Sequence, residues 1–275
     1  RMAAPGTTIR NRTLAIERFE ALEIPLPPID EQRRVASRID AVAAQSEELQ
    51  RVSAGRVARA SAYVQSWLDS RLRAVGASAV LSDVADVHRG RGPRYEPGSG
   101  FIAVNQACVR WGGVDLGRAR EVEQAWWEGT PPTAAVEMGD VLVNSTGEGT
   151  IGRAAVADAG CVGTPIDSHV MIVRSRSDGP LLPEFLEAYL RSAGGQAQVE
   201  AAKGANTTKQ TELGKAKLER FVVPLPSRNE QRVFIASYLE MLDAVGALQA
   251  EFARSDAVLK AIRPSALNDA FADLS

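Results

Sequence analysis

Only two cysteines and two histidines occur among 275 residues, and aromatic residues make up 5% of the chain. Cys108 and Cys161 fall in no metal or redox spacing, so they read as plain thiols of a reducing compartment. With His88 and His169 the only imidazoles, a metal centre has too few ligands, and none is expected. No run of about 18 apolar residues is present, and the opening RMAAPGTTIR lacks the apolar core of a signal peptide. The chain is therefore expected in the cytoplasm, with no membrane partner. An excess of charge is also missing, since 32 Lys and Arg against 34 Asp and Glu leave a formal charge of -2. That balance weighs against a broad nucleic-acid footprint while leaving room for a local basic patch. What is present is 45% hydrophobic residues, enough to give a core to one large domain or two ordinary ones.

One phrase is spelled twice. IPLPPIDEQRRVASRID, Ile24 to Asp40, returns as VPLPSRNEQRVFIASYL, Val223 to Leu239. Thr7-Thr8, Leu14 and Phe19 lead into the first copy, and Thr207-Thr208, Leu213 and Phe221 into the second. Both copies run on to related ends, SAYVQSW (Ser61 to Trp67) and SALNDAF (Ser265 to Phe271). The period far exceeds the roughly 20–50 residues of a solenoid repeat. It describes a duplicated module, made of an extended segment, a proline stop and a long helix, with a large insert between the copies. The chain begins with Arg1 and enters the repeat at once, whereas a whole domain precedes the second copy. The expectation is a missing N-terminal domain, against the alternative of a half-sized protein built this way.

In each copy Pro-Leu-Pro ends the extended stretch, because proline lacks a donor and keeps its predecessor extended. Asp30 and Asn229 are the expected N-caps, with Glu31 and Glu230 suiting the positive end of a helix dipole. The first helix should run from about Glu31 to about Leu72. Val35, Ile39, Val42, Ser46, Leu49, Ser53, Arg56, Ala60, Tyr63 and Trp67 recur at alternating spacings of four and three, a heptad-like seam. Ile235, Tyr238, Leu242, Val245, Gln249 and Phe252 form a similar seam in the second helix, before Pro264 kinks or interrupts it. Two such helices can bury their apolar faces on one another as an antiparallel pair; the alternative is ordinary core helices of one domain.

Between them, from Leu81 to about Pro226, short apolar runs alternate with Gly, Pro and Asp. FIAVNQA, DVLVNST, RAAVAD and HVMIVRS read as strands, and LPEFLEAYLRSAGGQAQVEAA as a helix broken near Gly194-Gly195. GEGTIG, Gly147 to Gly152, fits the glycine fingerprint of a dinucleotide site, but Gly160, Gly163 and Pro165 leave no room for the helix that must open there. A tight hairpin with accessible backbone is the expectation. Asp167-Ser168-His169 holds the residue types of a hydrolytic triad, yet sequence neighbours point apart and no nucleophile elbow is present. TPPT, Thr130 to Thr133, lacks the Asn or Asp and the aromatic of a methyltransferase. No catalytic residue is assigned. The polar loops carry the better signal: Arg89, Arg91 and Arg94; Asn105, Gln106 and Arg110; Asn144 and Thr146; Lys203, Asn206, Thr207, Thr208, Lys209 and Gln210. Arg and Lys neutralise phosphates, and Arg to guanine or Asn and Gln to adenine are the fitting bidentate pairs. Each loop could equally be a solvated surface.

The doubled Pro-Leu-Pro and Glu-Gln-Arg blocks, around a domain containing GDVLVNSTGEGTIGRAAV (Gly139 to Val156), resemble the specificity subunit of a type I restriction-modification system. The resemblance implies an α+β fold, in which a mixed, mostly antiparallel β target-recognition domain is flanked by two long helices forming an antiparallel coiled-coil spacer. On this chain it divides residues 1–28 (tail of a first recognition domain whose body is absent), 29–75 (first spacer helix), 80–227 (second recognition domain) and 229–275 (second spacer helix and tail). It implies a DNA-binding subunit, without chemistry or cofactor of its own, that directs adenine methylation and restriction to a bipartite site. Its partners would be double-stranded DNA, methylation subunits carrying S-adenosylmethionine, restriction motor-nuclease subunits and a second copy of itself. Partner and spacer contacts would fall on Val35, Ile39, Val42, Leu49, Tyr63, Trp67, Ile235, Tyr238, Leu242, Val245, Phe252 and Phe271. The competing reading is a helical scaffold that assembles methyltransferase or other defence proteins without reading DNA.

Overall fold

The computed structural model describes residues 16–21, 26–205 and 211–272. Thr7, Thr8, Leu14, Ile24, Asn206, Thr207, Thr208, Lys209 and Gln210 lie outside the described residues, as does the side chain of Phe271. In chain order the elements are α1 (Ile16–Glu20), α2 (Ile29–Arg73), β1 (Ser78–Val80), α3 (Leu81–Val84), β2 (Ala85–Arg89), β3 (Ile102–Ala103), β4 (Val109–Arg110), β5 (Gly113–Val114), β6 (Arg120–Glu121) and α4 (Gln124–Glu128). There follow β7 (Val141–Asn144), β8 (Ala154–Val156), β9 (Val170–Ser175), α5 (Pro183–Arg191), α6 (Ala193–Ala202), β10 (Gly204–Ala205), β11 (Thr211–Glu212), α7 (Lys215–Leu218), β12 (Val222–Pro224) and α8 (Arg228–Ala272). Two compact units result, Ala60–Val245 and the segments Arg1–Arg59 and Gly246–Ser275 together.

The duplicated phrase is a duplicated structure. Helices α2 and α8 are each 45 residues long, and both bounds shift by the same 199 positions, from 29 to 228 and from 73 to 272. The short helices before them start at the same offset, 16 and 215. Inside the phrase, the glutamine of Glu-Gln-Arg closes back onto the proline stop. Gln32 Nε2 donates to the Pro27 carbonyl at 2.7 Å, and Gln231 Nε2 to the Pro226 carbonyl at 2.8 Å. The expected caps differ, since Asp30 and Asn229 lie one residue inside their helices. Ser227 caps α8 instead: Glu230 Oε2 accepts from its backbone N–H at 2.8 Å, and the Ser227 hydroxyl accepts from Glu230 N at 3.4 Å. This is a capping box, and the bonds to Ser227 hold the Glu230 carboxyl below its ordinary range. Pro28 stands at the equivalent place in the first copy, where no side-chain cap can form.

The helix seam follows the expected spacing at Val35, Ile39, Val42, Ser46, Ser53, Ala60 and Trp67, whereas Gln50, Val57 and Val64 face in one residue after the expected Leu49, Arg56 and Tyr63, and Leu68 and Leu72 continue it. Leu49 and Tyr63 are 50% and 65% exposed and off the seam, as is Arg56. A straight helix drifts by about 20° per heptad against a strict seven-residue repeat, so over four heptads the drift approaches the rotation of one residue. In α8, Tyr238 is buried and Ile235, Leu242, Val245 and Phe252 are half-buried, while Gln249 is exposed and Leu248 faces in. The antiparallel helices meet within each unit: Gln50 Nε2 donates to Asp256 Oδ1 at 2.8 Å, and Trp67 stacks on Phe234 and Tyr238 at centroid distances of 5.2 and 6.4 Å. Pro264 does not end α8, which continues to Ala272. It is exposed, so water can satisfy the carbonyl that proline leaves without a donor. The helix reaches a mean hydropathy of 1.3 over a stretch long enough to cross a membrane. Packing accounts for part of that apolar content, since Ile235, Leu242 and Val245 lie against the core of the larger unit.

That core is built on an antiparallel sheet of order β2-β9-β7-β8. Its two faces sort by parity, as the two-residue period of a strand requires. Val141, Val143, Met171 and Val173 join Phe185, Leu186 and Leu68 on one side, whereas Leu142, Val170 and Ile172 join Val104, Cys108, Val109 and Ile166 on the other. Both central strands are buried on both faces, hence the unbroken apolar runs. Asp140, just before β7, is 1% exposed and takes both ends of the Arg174 fork, at 2.8 and 2.7 Å. The expected break at Gly194-Gly195 falls instead at Ser192, whose hydroxyl accepts from Gly195 N at 3.1 Å and caps α6. Gly195 is there for close approach: a Cβ would come 2.2 Å from the Tyr189 carbonyl oxygen.

Candidate nucleic-acid interface

Strand register gathers the polar loops at one end of the sheet. Asn144, the last residue of β7, pairs with Val170, the first of β9, and Arg89, the last of β2, pairs with Met171. The β7–β8 hairpin, the turn Asp167–His169 and the loop after Arg89 therefore leave the sheet together. Ser145 ties them, its N–H donating to the His169 carbonyl at 2.9 Å and its hydroxyl to the Ser168 carbonyl at 3.3 Å. Arg89 donates to that same carbonyl at 3.4 Å and pairs with Glu212 of β11, and Leu213 N donates to the Ser145 carbonyl at 2.8 Å. Segments far apart in sequence thus form one polar surface.

At its centre the Thr146 hydroxyl lies 3.1 Å from Gln106 Oε1 and 2.8 Å from His169 Nδ1. Asn144 is fully buried and donates to the Gln106 carbonyl at 3.0 Å, fixing the loop that carries Gln106. The hairpin is the tight turn expected of GEGTIG, with Asn144 and Arg153 paired across it and β8 following. Gly147 has φ +100, and a Cβ there would lie 2.3 Å from Thr150 Oγ1 and 2.6 Å from Gln106 Oε1. Both are side-chain ends that can move, so Gly147→Ala should cost mainly the left-handed backbone, about 1–2 kcal/mol in a urea titration. A loss above about 4 kcal/mol would show that Gln106 is rigidly held.

Asp167 is buried, its carboxyl accepting from Tyr95 Oη at 3.0 Å and from His169 N at 2.8 Å. Burial raises the Asp167 pKa, and burial with the neighbouring carboxylate pushes Tyr95 up to about 12. The His169 ring turns to Thr146 while the carboxyl holds the His169 backbone, so the three residues do not line up as a triad.

The structure separates the other candidates. Arg89, Gln106 and Thr146 belong to the surface, and Lys203 lies at the end of α6 just before β10, bonded to Glu200. Asn144 and Asn105 are supports: the Asn144 NH₂ donates to the Gln106 carbonyl while its Oδ1 has no partner among the described residues, and the Asn105 amide serves Ala107 N and the Arg118 carbonyl. Arg91 is engaged by the Trp126 carbonyl and ring, and Arg94 pairs with Glu123 at 3.5 Å. Arg110 is exposed in the β4–β5 hairpin. Sequence reasoning missed His169 and Glu212 as members of the surface, and the buried Ser145 as the residue that ties its loops together. The available signal for His169 was an imidazole in a polar turn directly before a buried strand.

No family model matches the sequence, and no curated protein matches it. Solved structures do. A chain from a study of complex assembly and conformational transition of the type I R-M system superposes with a TM-score of 0.73 at 22% identity, over 96% of this chain and 66% of the other. The HsdS subunit from Thermoanaerobacter tengcongensis superposes with a TM-score of 0.62 at 22% identity, over 98% of this chain and 65% of the other. This chain has the HsdS fold. It spans just under two thirds of the length of those chains. Within the HsdS fold, the polar surface described above belongs to the mixed domain between α2 and α8.

Proposed function

We propose that the chain is a non-catalytic DNA-recognition subunit of a type I restriction-modification complex, acting in the cytoplasm to direct adenine methylation and restriction to a bipartite site. The observation that carries this reading is the doubled module, repeated at a constant offset around one domain whose polar loops are gathered at one end of its sheet. The fold likeness supports it. Arg89 and Lys203 supply cations suited to phosphate, while Gln106 and Thr146 supply groups suited to base edges. The paired helices then set the distance between two half-sites and offer their surfaces to methylation subunits carrying S-adenosylmethionine and to restriction subunits.

The second half-site needs a second recognition domain, and the first module has a seat for one. At the 199-position offset the counterpart of Phe19 is Leu218 and not Phe221; Phe19 and Leu26 are 64% and 78% exposed, whereas Leu218 is buried in the core and Leu225 half-buried against it. A domain of the same kind, from this protein or another copy, would cover them. Sequencing the methylome of the source cell with and without the gene tests the proposal. A bipartite methylated word should vanish with the gene. An unchanged methylome, with methylation subunits still co-purifying, would favour the scaffold reading, which the pairing of Arg89, Arg94 and Arg176 with carboxylates otherwise recommends.

A further inference from the structure

We infer that Gln106 and His169, joined through the Thr146 hydroxyl, read the N7 and N6–H edge of an adenine in the major groove and reject guanine at that place. The inference rests on the DNA-recognition reading above and goes beyond it by naming a base pair and the groups that read it. Both side chains are half-buried on the polar surface, each within hydrogen-bond distance of the same hydroxyl. Their supports are rigid: Asn144 holds the Gln106 backbone, Ser145 N holds the His169 carbonyl, and the Asp167 carboxyl holds His169 N. The missing Cβ at Gly147 leaves the space that Gln106 Oε1 occupies.

A hydroxyl has one proton to give, which couples the two side chains. If Thr146 donates to Gln106 Oε1, it must accept from His169 Nδ1–H. Gln106 then presents its NH₂ as a donor, and the Nδ1–H tautomer of His169 presents bare Nε2 as an acceptor. If the Gln106 amide is turned over, its NH₂ donates to Thr146, and Thr146 donates to His169 Nδ1. Gln106 then presents its carbonyl oxygen and His169 its Nε2–H. Either way, the pair offers one donor and one acceptor. On its own major-groove edge adenine shows the complementary set, N7 as acceptor and N6–H as donor, so the pair is matched when both groups meet one purine. Guanine shows two acceptors, N7 and O6, and would leave the acceptor of the pair facing an acceptor.

In vitro selection from a randomised duplex library at fixed salt, using the full chain, decides the matter. Wild type should select a word containing an A·T position. Gln106→Ala and His169→Ala should each relax that same position, with about a tenfold loss of discrimination, and the double variant should lose no more than either alone. Thr146→Val should relax the position too, while Thr146→Ser, which keeps the hydroxyl, should preserve it. Thermal melting accompanies each variant, and Gln106→Met and His169→Asn replace any alanine variant that unfolds. An unchanged word, relaxation at two different positions, or relaxation at a G·C pair would overturn the inference while leaving DNA recognition standing. A wild-type chain that selects no word would overturn DNA recognition and this inference together.

Discussion

Replacing Asp140 with Ala should destabilise the fold by about 3–5 kcal/mol, the usual loss when one partner of a buried ion pair is removed. Asp140 is 1% exposed and the Arg174 side chain 20% exposed, so the guanidinium would be left largely out of water with its main counter-charge gone. Asp140 also accepts from Glu137 N at 2.7 Å, and Arg174 donates to the Ala135 carbonyl at 3.0 Å, so the loop entering β7 loses an anchor. The hydrogen bonds that Arg174 donates to Asp140 are the leading cause that raises the Arg174 pKa, in keeping with a pair held as ions. The double variant Asp140→Leu with Arg174→Met should recover most of the loss, because apolar side chains of similar size remove both desolvation costs. Urea unfolding at neutral pH measures both. A single-variant loss below about 1 kcal/mol would mean that the pair behaves as a surface salt bridge. Since β7 and β9 carry Thr146 and His169 at their shared end, Asp140→Ala should also weaken DNA selection without changing the word.

The second large effect contrasts two glutamines spelled in the same phrase. Gln231→Ala should cost about 3 kcal/mol and Gln32→Ala about 1 kcal/mol, with urea unfolding of the full chain as the measurement. Gln231 is fully buried, donates to the Pro180 and Pro226 carbonyls at 2.7 and 2.8 Å, and accepts from Leu182 N at 2.8 Å. Removing it strands three backbone groups and opens a gap where α8 meets the approach to α5. Gln32 is half-buried and donates to the Pro27 carbonyl. Equal losses would show that the first copy is already packed as the second is. Loss of Gln32 should become as costly as loss of Gln231 once another recognition domain covers the first module, which ties this stability difference to the proposed seat.

The long helices were legible because their signals are local and repeated. Proline stops, acidic first turns and an apolar period over many turns are properties of the chain itself. The caps and three seam positions, Leu49, Arg56 and Tyr63, depart from the local pattern for a physical reason. Ser227 outcompetes Asn229 because its hydroxyl and Glu230 satisfy each other, and a straight helix turns Leu49 and Tyr63 off a seven-residue seam that Gln50 and Val64 occupy. The strands were legible as apolar runs between glycines, and the hairpin at Gly147 to Gly152 followed from the absence of any room for a helix.

The sequence by itself determined the 199-residue repeat, the two long helices and the polar residue types that the loops offer. Tertiary structure alone decided which of those residues share a surface. Arg89, Gln106, Thr146 and His169 come from four separate segments; the register of β2, β9 and β7 brings three of them to one end of the sheet, where Asn144 anchors the loop carrying Gln106. Burial then divided like from like, turning Asn105 and Asn144 into supports while leaving Gln106 half-exposed beside His169. Hydrogen-bond chemistry is written in each residue, but whether it faces water, backbone or a base depends on long-range packing.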